Sequence, residues 1–207
     1  MRIGAIQSSY IPWLGYFDFI ASVDVFVIHD DLQYTKGDWR NRNRIKTAKG
    51  TEWLTVPVHY KTVSQPICET EIDQSRPWGQ KHLRQLQENY REARYLKDML
   101  DIVSVIDSRQ EKTISELNIE LMKRLCEYLG ISTPMVISSE LALTGTKTDR
   151  LIDMLKKLKA TTYLSGPSAD AYLDKEAFRQ NEISLEYKTY EYEPYPQLWG
   201  GFEGEVT

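Results

Sequence analysis

The sequence predicts an α/β protein: a mainly parallel sheet of Rossmann-like, nucleotidyltransferase-like layout, with a helical insertion and an antiparallel edge. Three observations lead there. Two short apolar runs, 2–7 and 23–28, flank a helical stretch, and apolar strands joined by a helical crossover are parallel and buried on both faces. The second half repeats that style, with strand 132–138, helix 147–159, strand 161–164, helix 169–180 and strand 183–190. Between the halves, 78–129 is helical, an insertion or lid within one α/β domain spanning 1–207.

Each element has a local reason. Residues 2–7 (RIGAIQ) are a buried strand, and Pro12 suits the first turn of the helix that follows, where a missing N–H costs nothing. Leu14, Phe17, Ile20 and Ala21 recur at helical spacing before the second strand (VDVFVI). Residues 52–58 form a third strand, with Pro57 marking an edge or a strand end. Residues 67–72 alternate apolar and polar, as a half-buried strand does. Helices follow at 78–90 and 93–106. The clearest amphipathic helix is 113–129, where Ile114, Leu117, Leu121, Leu125 and Leu129 share a face and Gly130 is the stop. Helix 147–159 carries Leu151, Ile152, Leu155 and Leu158 on one face.

Composition narrows the function. Of the 207 residues, 41% are hydrophobic and 27% charged, as in ordinary globular proteins. A net charge of -4 and a pI near 5.5 argue against general nucleic-acid binding, which makes the basic segment 36–49 a local anomaly. Cys68 and Cys126 make neither a disulfide framework nor a four-ligand zinc site and read as plain thiols of a reducing compartment. There is no signal-peptide pattern and no run near the roughly 20 apolar residues of a membrane span. The expectation is a cytoplasmic protein.

In parallel sheets, ligands bind beyond the carboxyl ends of the strands. Gln7, Ser8, Ser9 and Tyr10 fall there, short polar groups before a helix, a setting that favours an anion; Ser9 as a simple cap is the other reading. His29-Asp30-Asp31 ends the second strand. This triplet offers a general base with an orienting acid, Asp30 ahead of His29. It equally offers a carboxylate pair for Mg²⁺ beside a phosphate, or a solvated strand end. In 33–46, Arg40, Arg42 and Arg44 line one face of an extended loop and Asn41 and Asn43 the other. Arginine forks hold phosphate or carboxylate, and Tyr34 and Trp39 can stack on a base or sugar. Lys147 in the Gly145–Asp149 loop and Ser165-Gly166 suit a phosphate or simply make tight turns; the former is not a Walker motif. The tail 190–202 is a sugar platform or an aromatic strap. His59 and His82 read as structural.

These residues carry a resemblance. Gln7-x-x-Tyr10-x-Pro12-Trp13-x-Gly15-Tyr16, Asp24, Asp30-x-x-Gln33-Tyr34, Trp39-x-Asn41-Arg42-Asn43-x-Ile45-Lys46 and Trp53-Leu54-x-Val56-Pro57 resemble the WbqC-like family of bacterial proteins. So do Ser139, Gly145, Lys147-Thr148, Tyr163-Leu164-Ser165-Gly166 and Tyr195-Pro196-Gln197, so the likeness spans essentially the whole chain. It implies a place in surface-polysaccharide or O-antigen biosynthesis, and transfer of glycine or another acyl group onto the amino group of a sugar. It also implies further apolar helical sequence after Gly200-Gly201-Phe202, so the C-terminus at Thr207 reads as an interruption. The order strand, polar loop, helix, VDVFVIHDDLQY is also similar to adenylating ligases such as pantothenate synthetase, without their HxGH signature.

The expected activity is transfer of a small acyl or aminoacyl group onto the amine of a nucleotide-linked amino sugar. The alternatives are a non-catalytic nucleotide-sugar-binding module and an ATP-dependent adenylating ligase using ATP with Mg²⁺. Asp30, His29 and Gln7 are the catalytic candidates. The substrate-binding candidates are Ser8, Ser9, Tyr10, Trp13, Gln33, Tyr34, Trp39, Arg40, Asn41, Arg42, Asn43, Arg44, Lys147, Ser165, Gly166 and Gln197. The expected partner is a small molecule, a nucleotide sugar, rather than nucleic acid.

Overall fold

The computed structural model describes residues 1–204 and 206–207. In chain order the elements are β1 (Arg2–Ile6), α1 (Leu14–Ala21), β2 (Val25–Ile28), β3 (Arg42–Thr47), β4 (Gly50–Thr55), α2 (Trp78–Asn89), α3 (Leu96–Val103), α4 (Ile114–Leu129), β5 (Met135–Ile137), α5 (Lys147–Lys157), β6 (Thr162–Ser165), α6 (Lys175–Gln180) and β7 (Ser184–Tyr187). They form two compact units. The first comprises Met1–Gln7, Gly15–Asp31 and Ile131–Glu191; the second comprises Ser8–Leu14, Leu32–Gly130 and Tyr192–Thr207.

The first unit is a five-stranded parallel sheet in the order β5-β2-β1-β6-β7. Numbered by their order within this sheet, the strands run third, second, first, fourth, fifth: the doubly wound arrangement, with its switch point between β1 and β6. Alternation along each strand sorts the two faces. Ile3 and Val27 pack with Leu151, Met154 and Leu155 of α5 and with Phe178 of α6. On the other face, Phe26 meets Phe19 and Tyr16 of α1 edge to face. Gly4 is required by the approach of α1, since a Cβ there would lie 2.5 Å from Phe19 Cε1.

The second unit pairs β3 and β4 as an antiparallel hairpin with a two-residue turn. The antiparallel pairing expected from sequence is therefore a sheet of its own. Its buried face, Ile45, Leu54 and Val56, shares a core with Tyr10, Ile67, Trp78, Val105, Ile114, Leu117 and Leu121. Helix α4 starts with a capping box, in which Glu116 N donates to Thr113 Oγ1 at 3.2 Å and Thr113 N to Glu116 Oε2 at 3.1 Å. It stops at Gly130, which adopts the left-handed conformation.

Several elements differ from expectation. The basic segment is not an extended loop throughout: 42–47 is strand β3, because its alternation of Arg and buried residues suits a hairpin with one dry face. Residues 67–72 are not a strand. Thr70 Oγ1 donates to the Pro66 carbonyl at 2.8 Å, and Ile67–Glu69 curls into a 3-10 helix. The helix expected over 169–180 is shortened to α6, because Asp174 caps it by accepting from Glu176 N and Ala177 N. Among the described residues no helix is long and apolar enough to cross a membrane.

Candidate functional site

In the first unit, the carboxyl ends of the strands carry the polar residues. Gln7 follows β1, and its carbonyl accepts from Tyr16 Oη at 3.1 Å. His29, Asp30 and Asp31 follow β2, and Ser138-Ser139 follow β5. Asp30 is 3% exposed. Its carboxylate accepts from Ser138 Oγ at 3.2 Å, Ser139 N at 3.0 Å and Ser139 Oγ at 2.8 Å. The single Ser138 hydroxyl proton is shared with Asp31, which is also ion-paired with Arg150. The two carboxylates thus tie the end of β2 to β5 and α5.

Asp31 neutralises a guanidinium, and three donors occupy buried Asp30.

His29 differs from its neighbours. Its backbone N–H donates to Ile6 O at 3.0 Å, while its Nδ1 is buried without a hydrogen-bond partner. Burial lowers its pKa below the ordinary histidine value. Asp31 and Asp30 act in the opposite direction and Arg150 with the burial. At neutral pH the ring is uncharged and one nitrogen is available. Ser165, 2% exposed, ends β6; a Cβ on Gly166 would meet nothing within 4 Å. Lys147 is exposed at the start of α5, with a left-handed backbone.

In the second unit, the open face of the hairpin gathers the arginines. Arg42 and Arg44, two apart on β3, share this face with Trp53, which pairs with Arg44 across the strands. Arg42 Cζ lies 4.0 Å from the Trp53 ring centroid. Arg44 Cζ is 5.7 Å from the rings of both Trp39 and Trp53. The two indoles are 5.4 Å apart. Arg40 is 9% exposed, with Nη2 4.0 Å from Asp38 Oδ2.

The asparagines between them are structural ties. Asn43 Nδ2 donates to the carbonyls of Tyr10 at 3.1 Å and Ile11 at 2.6 Å, and Asn41 Nδ2 to that of Val56 at 2.8 Å. Asn118 binds Ser8 Oγ at 3.2 Å and the Arg40 carbonyl at 2.8 Å. Ser9 is buried. Tyr10, fully buried, donates its hydroxyl to His82 Nδ1 at 2.9 Å. Burial raises the tyrosine's pKa and lowers the histidine's to about 4, so both are neutral; the backbone hydrogen bond to Thr55 takes the ring's one N–H and leaves Nδ1 as the acceptor.

The remaining sequence candidates lie in the same unit. Trp13 meets Tyr192 edge to face at 6.0 Å. Gln33 bridges Pro66, and Tyr34 is 1% exposed beside Tyr60. Gln197 Oε1 accepts from Lys46 Nζ at 3.1 Å and Glu203 N at 2.9 Å, so it folds the tail rather than pointing outward.

The sequence model of the WbqC-like protein family matches residues 7–207. The chain belongs to this family. It is 46% identical over 209 residues to a Mycobacterium tuberculosis protein described as "Uncharacterized protein Rv1507c", a match that covers all of this chain and 90% of that one. No solved structure matches the chain.

In this WbqC-like protein, sequence reasoning passed over Arg150 and Asn118, while Ser139 and Trp53 entered through the family motifs without a place at the site. Asn118 had a readable signal. It falls on the buried stripe of α4, one residue after Leu117 and three before Leu121, where a polar side chain needs partners. Arg150 had none, because its pairing with Asp31 joins residues 119 apart.

Proposed function

We propose that this WbqC-like protein transfers a small acyl or aminoacyl group, such as glycyl, onto the amine of a nucleotide-linked amino sugar during surface-polysaccharide synthesis. The observation that carries the reading is His29, a neutral imidazole at the carboxyl end of a doubly wound strand with a buried, unpartnered Nδ1. An amine attacks an activated acyl carbon as the neutral base. As the new C–N bond forms and the acyl–leaving-group bond breaks, the nitrogen must lose a proton. His29 has the lone pair to take it. Asp30, engaged by three donors, holds the strand end in place. In the second unit, taken by itself, Arg42 and Arg44 suit phosphates, and the indoles of Trp39 and Trp53 suit a base or sugar ring.

The engagement of Asp30 also favours a second reading, a module that binds the sugar nucleotide without turnover. Mass spectrometry separates the two. The protein is incubated with UDP- and dTDP-amino sugars and either acetyl-CoA or glycine with ATP and Mg²⁺. Transfer yields an acylated sugar, and His29→Ala slows it by about 10²–10⁴-fold. Binding without product across the panel establishes the module. A wild-type rate in His29→Ala removes the histidine from the chemistry.

A further inference from the structure

We propose that Arg42 and Tyr34 form a phosphate subsite on the second unit, with the Arg42 guanidinium stacked on Trp53 beside Gly37. This deepens the sugar-nucleotide reading and rests on it for the molecule that bears the phosphate.

The stacking is geometric. One face of the guanidinium lies on the Trp53 ring, 4.0 Å from its centroid. On the Gly37 side, an added Cβ would meet Arg42 Cζ, Nη1 and Nη2 at 3.6, 3.7 and 3.8 Å. Three nearly equal distances mean that this side also faces the plane of the group. Gly37 has φ +69°, a backbone that any side chain strains. One face of the guanidinium is therefore covered by the indole, while the missing side chain of Gly37 leaves room on the other. A fork held flat in this way loses little rotamer freedom when it binds a planar pair of oxygens.

The site lacks its acceptor. Among the described residues no carboxylate lies within ion-pair distance of Arg42, and its Nε is buried without a hydrogen-bond partner. Tyr34 is 1% exposed, and the proton of its hydroxyl has no acceptor. Burial pushes that phenol up to about 12, so it stays a donor; the Gly37 backbone N–H, which the oxygen accepts, and Arg42 act against the burial, and Asp38 and Tyr60 act with it. Buried donors without acceptors are costly. An unpaired guanidinium and a phenol proton without an acceptor together select an oxygen-rich anion over an amine or a metal ion. Phosphate supplies several acceptor oxygens and the charge. In this role Tyr34 is a hydrogen-bond donor rather than a stacking ring.

Isothermal titration at low salt with UDP, inorganic pyrophosphate, orthophosphate and uridine tests the assignment. UDP and pyrophosphate bind the wild type, and uridine does not. Tyr34→Phe weakens both by about tenfold, the loss of one charge-assisted hydrogen bond, and Arg42→Lys weakens them by at least as much. The urea midpoint of Tyr34→Phe stays level, because the bond lost from the Gly37 N–H is offset by removal of a buried hydroxyl proton without an acceptor. A merely structural tyrosine would lower stability and leave affinity unchanged.

Equal UDP affinity in wild type and Tyr34→Phe overturns the subsite, as does uridine binding as tightly as UDP. Orthophosphate binding as tightly as UDP overturns its assignment to a nucleotide. Tyr34-dependent pyrophosphate binding without acylated product leaves the subsite standing and refutes the transferase instead.

Discussion

Acid sensitivity of the second unit follows from His82. This ring is 3% exposed, accepts from Tyr10 Oη at 2.9 Å and meets Trp78 edge to face at 5.4 Å. Burial, helped by the charge of Lys81 and opposed by the Thr55 backbone, lowers its pKa from 6.5 to about 4. The unfolded chain therefore takes up a proton below about pH 6.5 that the folded chain refuses until about pH 4. The associated stability is complete above that window and is lost as the pH falls through it. At about 1.4 kcal/mol per pH unit, roughly 2 kcal/mol is lost between pH 6.5 and 5, and about 3 kcal/mol over the full range. His82→Gln keeps an acceptor for Tyr10 but does not titrate. Urea denaturation followed by tryptophan fluorescence, at about pH 7 and about pH 5, gives the stability change of each protein. The wild type should lose roughly 2 kcal/mol more than the variant, a difference of about 4–8 °C in melting temperature. His29 shifts in the same direction but is present in both proteins and cancels. Equal losses would refute the account of a buried, neutral His82.

Three further substitutions probe other parts of the molecule. Asp30→Asn replaces an acceptor of three hydrogen bonds with a group that presents N–H to at least one donor, and should lower the urea midpoint by the equivalent of about 1–3 kcal/mol; an unchanged midpoint would contradict its role as the tie at the strand end. Lys46 is 5% exposed, and its ammonium binds Gln197 Oε1 and the carbonyls of Gly200 and Gly201. Lys46→Met should therefore speed chymotryptic cleavage at Trp199, and a wild-type cleavage rate would sever the lysine from the order of the tail. Gly4→Ala drives a methyl group into Phe19 and should cost about 1–3 kcal/mol, part of which Phe19→Leu should restore; thermal unfolding reads both effects.

The candidate site was legible in sequence to uneven depth. His29, Asp30 and Gln7 could be placed at strand ends, because apolar runs and a crossover imply parallel strands, and parallel strands put their ligands at one edge. Which of His29 and Asp30 keeps an open lone pair could not be read. That depends on Ser138 and Ser139, more than 100 residues away along the chain. The alternation in 42–44 separated Arg42 and Arg44 from Asn43, since a strand has a period of two, but Arg40 and Asn41 lie in the turn before β3. The alternation said nothing of Trp53, which reaches the arginines only through the β3–β4 register.

The mainly parallel α/β layout, the amphipathic α4 with its stop at Gly130, and the concentration of arginine in one segment were determined by the sequence alone. Periodicity, capping and charge are local properties, and neighbouring residues carry them. Tertiary structure alone decided that Asp30 is saturated, that His29 is neutral with a free nitrogen, that Arg42 is stacked on Trp53 without a counter-charge and that Gln197 faces inward. Each of these is a balance of donors, acceptors and desolvation at one point in space, and the groups that set it come from distant parts of the chain.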